Sequence, residues 1–251
     1  MNEKTAHHLL DLNRQFYQTF ALQFSATRQR LQPGVLQVLR RIPLTNHILD
    51  LGCGNGELAR ELARRGHSGR YIGLDFSSEL LKHARLSNPS DFQGQDNLHG
   101  DQHFLPANLA DPDWDRILAG AAAPPFDFIL AFAVLHHLPG VELRRQVLRI
   151  SHNLLANQGY FIHSEWQFLN SPRLVARLQP WSKAGVTAED VDPGDYLLDW
   201  RRGGSGLRYV HFFSEDELNN LAAETGFQVV ESFHSDGDGG ELGLYQVWKS
   251  A

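Results

Sequence analysis

Apolar residues recur at helical spacing over residues 9–24 and again over 34–42, with Pro33-Gly34 between them, so the chain opens on helices rather than on a strand. The first strand pattern is the short apolar run His47-Ile48-Leu49-Asp50-Leu51, which ends in glycines. Glu57 to Arg65 then reads as a helix stopped by Gly66, completing a strand, a turn and a helix. Arg70 to Asp75 is a second short strand and Ser78 to Leu86 a second helix, which makes a βαβ unit. Residues 87–125 are too rich in Asn-Pro, Gly and Pro for a long element and are expected to be an irregular insertion around one strand, His103 to Leu109.

Phe126 to Val134 is a nearly continuous apolar run, the pattern of a central parallel strand covered on both faces, and Val141 to Leu155 is an amphipathic helix behind it. Gly159 to Glu165 supplies another strand. Residues 169–210, again rich in Pro, Gly and charge, form a second expected insertion. Ser214 then caps a helix running to Gly226. Phe227 to Phe233 and Leu242 to Lys249, joined by the turn Asp236-Gly237-Asp238-Gly239-Gly240, close the chain as an antiparallel pair. The expectation is one α/β domain over residues 1–251. It is a doubly wound, seven-stranded Rossmann-like sheet with an N-terminal helical cap over 1–45, insertions at 87–125 and 169–210, and no internal repeats.

Composition narrows this picture. With 251 residues, 42% of them hydrophobic, the chain can bury one substantial core. It has no apolar run long enough to span a bilayer, and its start lacks the basic-then-apolar order of a secretory signal, so the expected location is cytoplasmic and away from membranes. The single cysteine, Cys53, allows neither an internal disulfide nor a cysteine-based metal cluster, and no metal is expected. A net charge of −6 argues mildly against a nucleic-acid partner, but the charge is uneven. Residues 1–49 carry six basic residues against two acidic ones, whereas residues 86–128 carry seven Asp against Arg116 alone.

The turn Asp50-Leu51-Gly52-Cys53-Gly54-Asn55-Gly56 lies between a strand and a helix, where glycines let a ligand approach the main chain and a helix start offers N–H groups. A dinucleotide fingerprint would put its third glycine at position 57, which is Glu57, and no Gly-Lys-Ser/Thr follows for a phosphate loop. What remains is acid-x-Gly-x-Gly-x-Gly, and an acid there suits a ligand that carries an ammonium group, such as S-adenosylmethionine (SAM). Asp75, at the end of the next strand, stands where a carboxylate accepts ribose hydroxyls, and Phe76 beside it is placed to cover an adenine.

As a set these residues resemble the nucleotide-binding motifs of class I SAM-dependent methyltransferases over roughly residues 46–165. The resemblance implies SAM as cofactor, held by Asp50, Gly52, Cys53, Gly54, Gly56, Asp75 and Phe76. It further implies adenine contacts from Asn108 (where the family more often has Asp) and Leu109, and a place in the cofactor site for Ala131 and Phe132.

Ala131 to Leu138 ends the central strand with His136-His137, at the edge where open α/β sheets bind ligands. Three segments resemble, in order, the eukaryotic tRNA methyltransferases that esterify 5-carboxymethyluridine at the wobble position. They are Phe16-Tyr17 to Phe24-Ser25-Ala26-Thr27-Arg28, Ala133 to His137, and Arg208-Tyr209-Val210-His211-Phe212-Phe213 to Glu217-Leu218. By that resemblance Arg28, His136, His137, Arg208, Tyr209 and His211 face the acceptor, tRNA is a partner, and a small zinc-binding activator subunit is a second one. A carboxylate acceptor is ionised at neutral pH and requires positioning more than a general base, a task that suits arginine. Two alternatives stay open: the same cofactor with a small-molecule acid or amine as acceptor, and a SAM-binding module without turnover.

Overall fold

The computed structural model describes residues 1–26, 30–86, 101–120 and 125–250. The chain begins with α1 (Glu3–Thr19), started by Asn2, whose side chain accepts the Thr5 N–H. Its apolar stripe buries Leu9, Phe16 and Tyr17, with Asn13 among them. The helical run expected over 9–24 breaks at Phe20, and α2 (Ala21–Ala26) and α3 (Pro33–Leu39) follow, the latter with proline in its first turn, where no N–H partner is needed.

The parallel core alternates β1 (Ile48–Leu51), α4 (Glu57–Arg64), β2 (Tyr71–Asp75), α5 (Ser78–Leu86), β3 (Gln102–Pro106), β4 (Phe126–Phe132), α6 (Val141–Leu154) and β5 (Leu155–Trp166). The chain closes with α8 (Glu215–Glu224), β9 (Phe227–Ser235) and β10 (Gly243–Ser250). The seven strands lie in the order β3-β2-β1-β4-β5-β10-β9, the last two antiparallel to their neighbours, so the doubly wound sheet and its closing pair are as expected. Strand order reverses between β1 and β4, which is where an open α/β sheet makes its ligand crevice.

Both faces of the sheet are covered. Side chains alternate along β1, so Ile48 packs with Val35, Val38, Leu58, Leu62 and Leu81 of α3, α4 and α5 on one side. Leu49 packs with Val147, Leu148, Leu218 and Leu221 of α6 and α8 on the other. Two boundaries differ from the expectation. β3 ends at Pro106 rather than at residue 109, the Ala107 N–H making a last bond to the Asp75 carbonyl at 3.0 Å, and β5 starts directly after α6.

The second expected insertion, 169–210, is ordered. After α7 (Pro172–Val175) it forms β6 (Leu178–Gln179), β7 (Asp195–Trp200) and β8 (Gly206–His211), an antiparallel sheet in the order β6-β7-β8. Leu198 and Val210 pack on Phe168 and Leu174, while Trp200 packs on Phe16, Tyr17 and Phe20 of the N-terminal helices. Of the first insertion, residues 87–100 and 121–124 lie outside the described residues. No helix among the described residues is long and apolar enough to cross a membrane.

Candidate active site

One cleft of about 560 Å³ opens at the strand-order reversal, within the range of ligand pockets. Its floor is the glycine turn. Gly52 and Gly54 have φ of 71° and 56°, a region that costs other residues about 1–2 kcal/mol. Both border the cleft, but a Cβ on Gly52 would come within 2.7 Å of Val134, whereas one on Gly54 would meet nothing within 4 Å. Cys53 N–H donates to the Leu74 carbonyl at 2.9 Å and ties the turn to β2. Gly56 caps α4 and backs onto Ala84, outside the cleft lining; it serves the packing of α4 on α5.

The two acids expected here converge on the cleft. Asp75 accepts the Gly54 N–H at 2.9 Å and the Ser77 N–H at 2.8 Å, while the cap of α5 is supplied by Ser77, whose Oγ accepts the Leu80 N–H. Asp75 therefore reaches the turn instead of capping the helix. Burial pushes its carboxyl up to about 6, against the lowering effect of those N–H groups. Asp50 is buried too and accepts the Tyr71 hydroxyl at 2.5 Å. Burial pushes it up to about 7, with the Tyr71 bond opposing and the nearby Asp75 adding to the rise.

Phe76, Asn108, Leu109 and Phe132 line the same cleft. The Asn108 amide is engaged in a local turn, donating to Asp111 at 2.8 Å and accepting the Ala110 N–H. Ala131 is a correction: fully buried in the core under α6, it is absent from the lining, since neighbours on a strand face opposite ways. These groups fit a nucleoside that carries a cation, with a cradle at Gly54 and two buried carboxyls at the strand tips as acceptors.

The other wall is made of side chains. His136 and His137 lie on a 3-10 turn after β4, preceded by Ala133 with a left-handed φ of 57°. The Tyr209 carbonyl lies 3.3 Å from His137 Nδ1, which must donate, so Nε2 accepts the Tyr17 hydroxyl at 2.7 Å. Asn13 donates to the carbonyls of His137 and Tyr209 and accepts the Tyr209 N–H at 2.8 Å, joining α1 to β8 as a partner strand would. Arg208 lines the cleft with its guanidinium 4.6 Å from the Trp166 ring, 5.6 Å from Phe16 and 5.8 Å from Trp200, a low-polarity seat for a cation.

Tyr209 and His211 are corrections to the expected acceptor-facing set, for the period-2 alternation of β8 turns them away from Arg208's face. Tyr209 donates to Asp195 at 2.6 Å and accepts from Arg144 at 2.9 Å. His211 meets Asp195 at 2.7 Å and Glu217 at 3.0 Å. This buried group joins the small sheet to α6 and α8. Arg28 lies outside the described residues. The strand reading passed over Glu165 and Trp166, which end β5 beside β4; their place at a carboxyl strand end beside the histidine turn was the available signal.

Comparison with known proteins adds a family. A model described as a methyltransferase domain matches residues 24–232. The tRNA (carboxymethyluridine(34)-5-O)-methyltransferase of Schizosaccharomyces pombe is 27% identical, over 86% of this chain and 89% of the relative. The trans-aconitate 2-methyltransferase of Azoarcus sp. is 32% identical, over 86% and 90%. Among solved structures, a SAM-dependent methyltransferase from Methanosarcina mazei superposes with a TM-score of 0.65 at 21% identity, over 88% of this chain and 98% of that one. The methyltransferase in the complex with the Trm112 activator from Haloferax volcanii superposes with 0.65 at 16%, over 96% and 97%. At these identities the two structures speak for the fold.

Proposed function

The chain belongs to the methyltransferase-domain family and is a class I SAM-dependent enzyme, and from that premise we propose that it methylates a carboxylate oxygen of an acceptor seated between Arg208 and the histidine turn. The observation that carries this reading is Arg208, a permanent cation on aromatic faces at the wall of the cofactor cleft, where a planar anion finds a matching donor fork. Both relatives are named for acceptors that bear carboxylates, one on a tRNA nucleoside and one a small polyacid.

SAM supplies a sulfonium methyl group, and the chain's own residues place the acceptor. Asp75 and Asp50 hold the ribose and ammonium ends, Gly52, Cys53 and Gly54 shape the cradle, and Phe76, Asn108 and Leu109 border the adenine. Arg208, with His136 and His137, orients the carboxylate. An anionic oxygen meeting a cationic sulfonium neutralises charge, so alignment and exclusion of water supply much of the acceleration.

The favoured acceptor is the carboxymethyl group of a tRNA wobble uridine. Tyr17, His136, His137 and Arg208, from the three segments that resemble that family, meet in one cleft, which supports the reading. A small carboxylic acid is the second reading, favoured by the 32% identical relative and by the net charge of −6. A small activator subunit is proposed as a partner with the tRNA reading.

The protein, alone and with a Trm112-type activator, is incubated with labelled SAM and either bulk tRNA or trans-aconitate. Label in tRNA that is lost on mild alkaline treatment supports a wobble ester, and its steep loss with rising salt supports contacts to several phosphates. Label in the small acid alone supports the second reading. SAM binding with no transfer to any carboxylate overturns both and leaves a binding module.

A further inference from the structure

Behind the histidine turn, His136 belongs to a buried set with two side chains, Glu165 and His163, that the proposed reaction does not yet use. Glu165 Oε2 accepts the His136 main-chain N–H at 3.1 Å and lies 2.9 Å from His136 Nδ1, and its Oε1 lies 2.9 Å from His163 Nδ1. Glu165 and His136 are each 1% exposed and His163 is fully buried, yet Glu165 and His136 both border the cleft.

The proton positions follow from the surroundings. His163 Nε2 is buried without a hydrogen-bond partner among the described residues, its ring edge-on to Trp248 at 4.5 Å, so a proton there would be an orphaned donor. The proton therefore sits on Nδ1 and donates to Glu165. Burial takes the His163 imidazole down to about 3, so this donor is neutral and fixed. Burial pushes the Glu165 carboxyl well up from the carboxylate range, against the His136 N–H and the charge of Arg144 on α6, while Glu217 on α8 adds to the rise. Across β10, Glu165 faces the uncharged Leu244, and the His137 ring stands 4.3 Å from that of His136. The Trp166 N–H also reaches His136 Nδ1 at 3.3 Å, so that nitrogen accepts from the main chain and is placed to share the proton of the Glu165 carboxyl.

We propose that Glu165 is a positioning residue for the acceptor, acting through His136. It grips the imidazole by Nδ1 and by the main chain, turns Nε2 toward the cleft, and becomes the counter-charge when an anionic acceptor draws the shared proton onto the ring. His136 then donates from Nε2 to the carboxylate oxygen that does not attack. The proton stays on the protein. The attacking oxygen forms its bond to the methyl carbon as the sulfonium–carbon bond breaks, giving an ester and a neutral thioether.

This inference rests on the carboxylate reading above, and its test keeps the two apart. Glu165→Gln retains the shape and one accepting oxygen but no charge. The expected result is unchanged SAM affinity by calorimetry, a drop in kcat of about 100-fold, and an alkaline limb of the pH profile moved to lower pH. His136→Asn keeps a donor toward Glu165 and removes Nε2, and should lose kcat to a similar extent. His163→Asn, which keeps the donor to Oε1, should restore most of what His163→Leu loses. If the wild-type protein methylates no carboxylate, the carboxylate reading fails. The clamp is then read by NMR titration of the His136 ring in the SAM-bound protein, which should move to lower pH in Glu165→Gln. An unmoved His136 titration, an unmoved pH profile, or loss of SAM affinity matching the loss of turnover would overturn it.

Discussion

The two walls of the cleft are built in opposite ways. The proposed cofactor wall is mostly local geometry, with its main parts within residues 50–76: a left-handed glycine turn, two carboxyls at adjacent strand tips, and N–H groups aimed at one of them. The acceptor wall is an assembly of side chains from α1, the histidine turn, the end of β5 and the face of β8, brought together across sequence separations of more than 100 residues. A wall of the first kind is encoded locally and can be shared by enzymes with many acceptors, whereas one of the second kind changes with every insertion and carries specificity.

The sharpest way to break this contrast is at Asp75. Asp75→Ala removes the acceptor for two main-chain N–H groups as well as the expected ribose contact. It should cost about 3 kcal/mol or more of SAM binding, beyond 100-fold in Kd by calorimetry. Preserved affinity would show that the cofactor wall does not depend on this acid. On the other wall, Arg208→Lys keeps the charge and removes the planar fork. It should lower kcat/KM for the acceptor by roughly 2 kcal/mol, about 30-fold, and leave SAM affinity alone; an equal loss in both would merge the two walls into one.

The glycine turn supplies a finer comparison. Gly52→Ala and Gly54→Ala share the left-handed penalty of about 1–2 kcal/mol, but only the first drives a Cβ into Val134. Thermal melts should therefore show the larger drop for Gly52→Ala, and calorimetry the larger loss of SAM affinity per unit of lost stability for Gly54→Ala. The reverse pattern would move the cradle away from Gly54.

The smallest effect expected is that of pH. Asp75 and Asp50 hold their protons more tightly when folded, at about 6 and about 7 against ordinary carboxylate values near 4. Their contribution to stability is present below the unfolded value and is lost as pH rises through those two figures. A cationic ligand instead requires them ionised. SAM affinity should thus rise by up to about tenfold between pH 6 and pH 8, while the melting temperature of the ligand-free protein falls. Parallel trends in both would contradict the placing of these acids at the cofactor.

This division also explains what could be read from the chain. The alternation of strands and helices, the position of the glycine turn with Asp50 and Asp75 at the crevice, and the closing antiparallel pair were all legible, because each depends on neighbours within a few turns of sequence. Ala131, Tyr209 and His211 went to the wrong side since a motif names consecutive residues while a strand sends alternate ones to opposite faces. Glu165 and Trp166 were passed over because nothing local marks the end of a strand as a site until the neighbouring strand is known. The sheet within 169–210 stayed hidden because β7, Asp-Tyr-Leu-Leu-Asp-Trp, has no strict alternation, being covered on both faces.

Asn13 carries a consequence of its own. By mating with the main chain of Tyr209 and with the His137 carbonyl, it makes the opening helix a side panel of the cleft, and Tyr17 on the same helix stands with its ring 6.0 Å from that of Phe76. A shortened chain that lacked this panel should lose the proposed acceptor wall and open the edge beside Phe76 as well, so the first twenty residues are the last ones to trim.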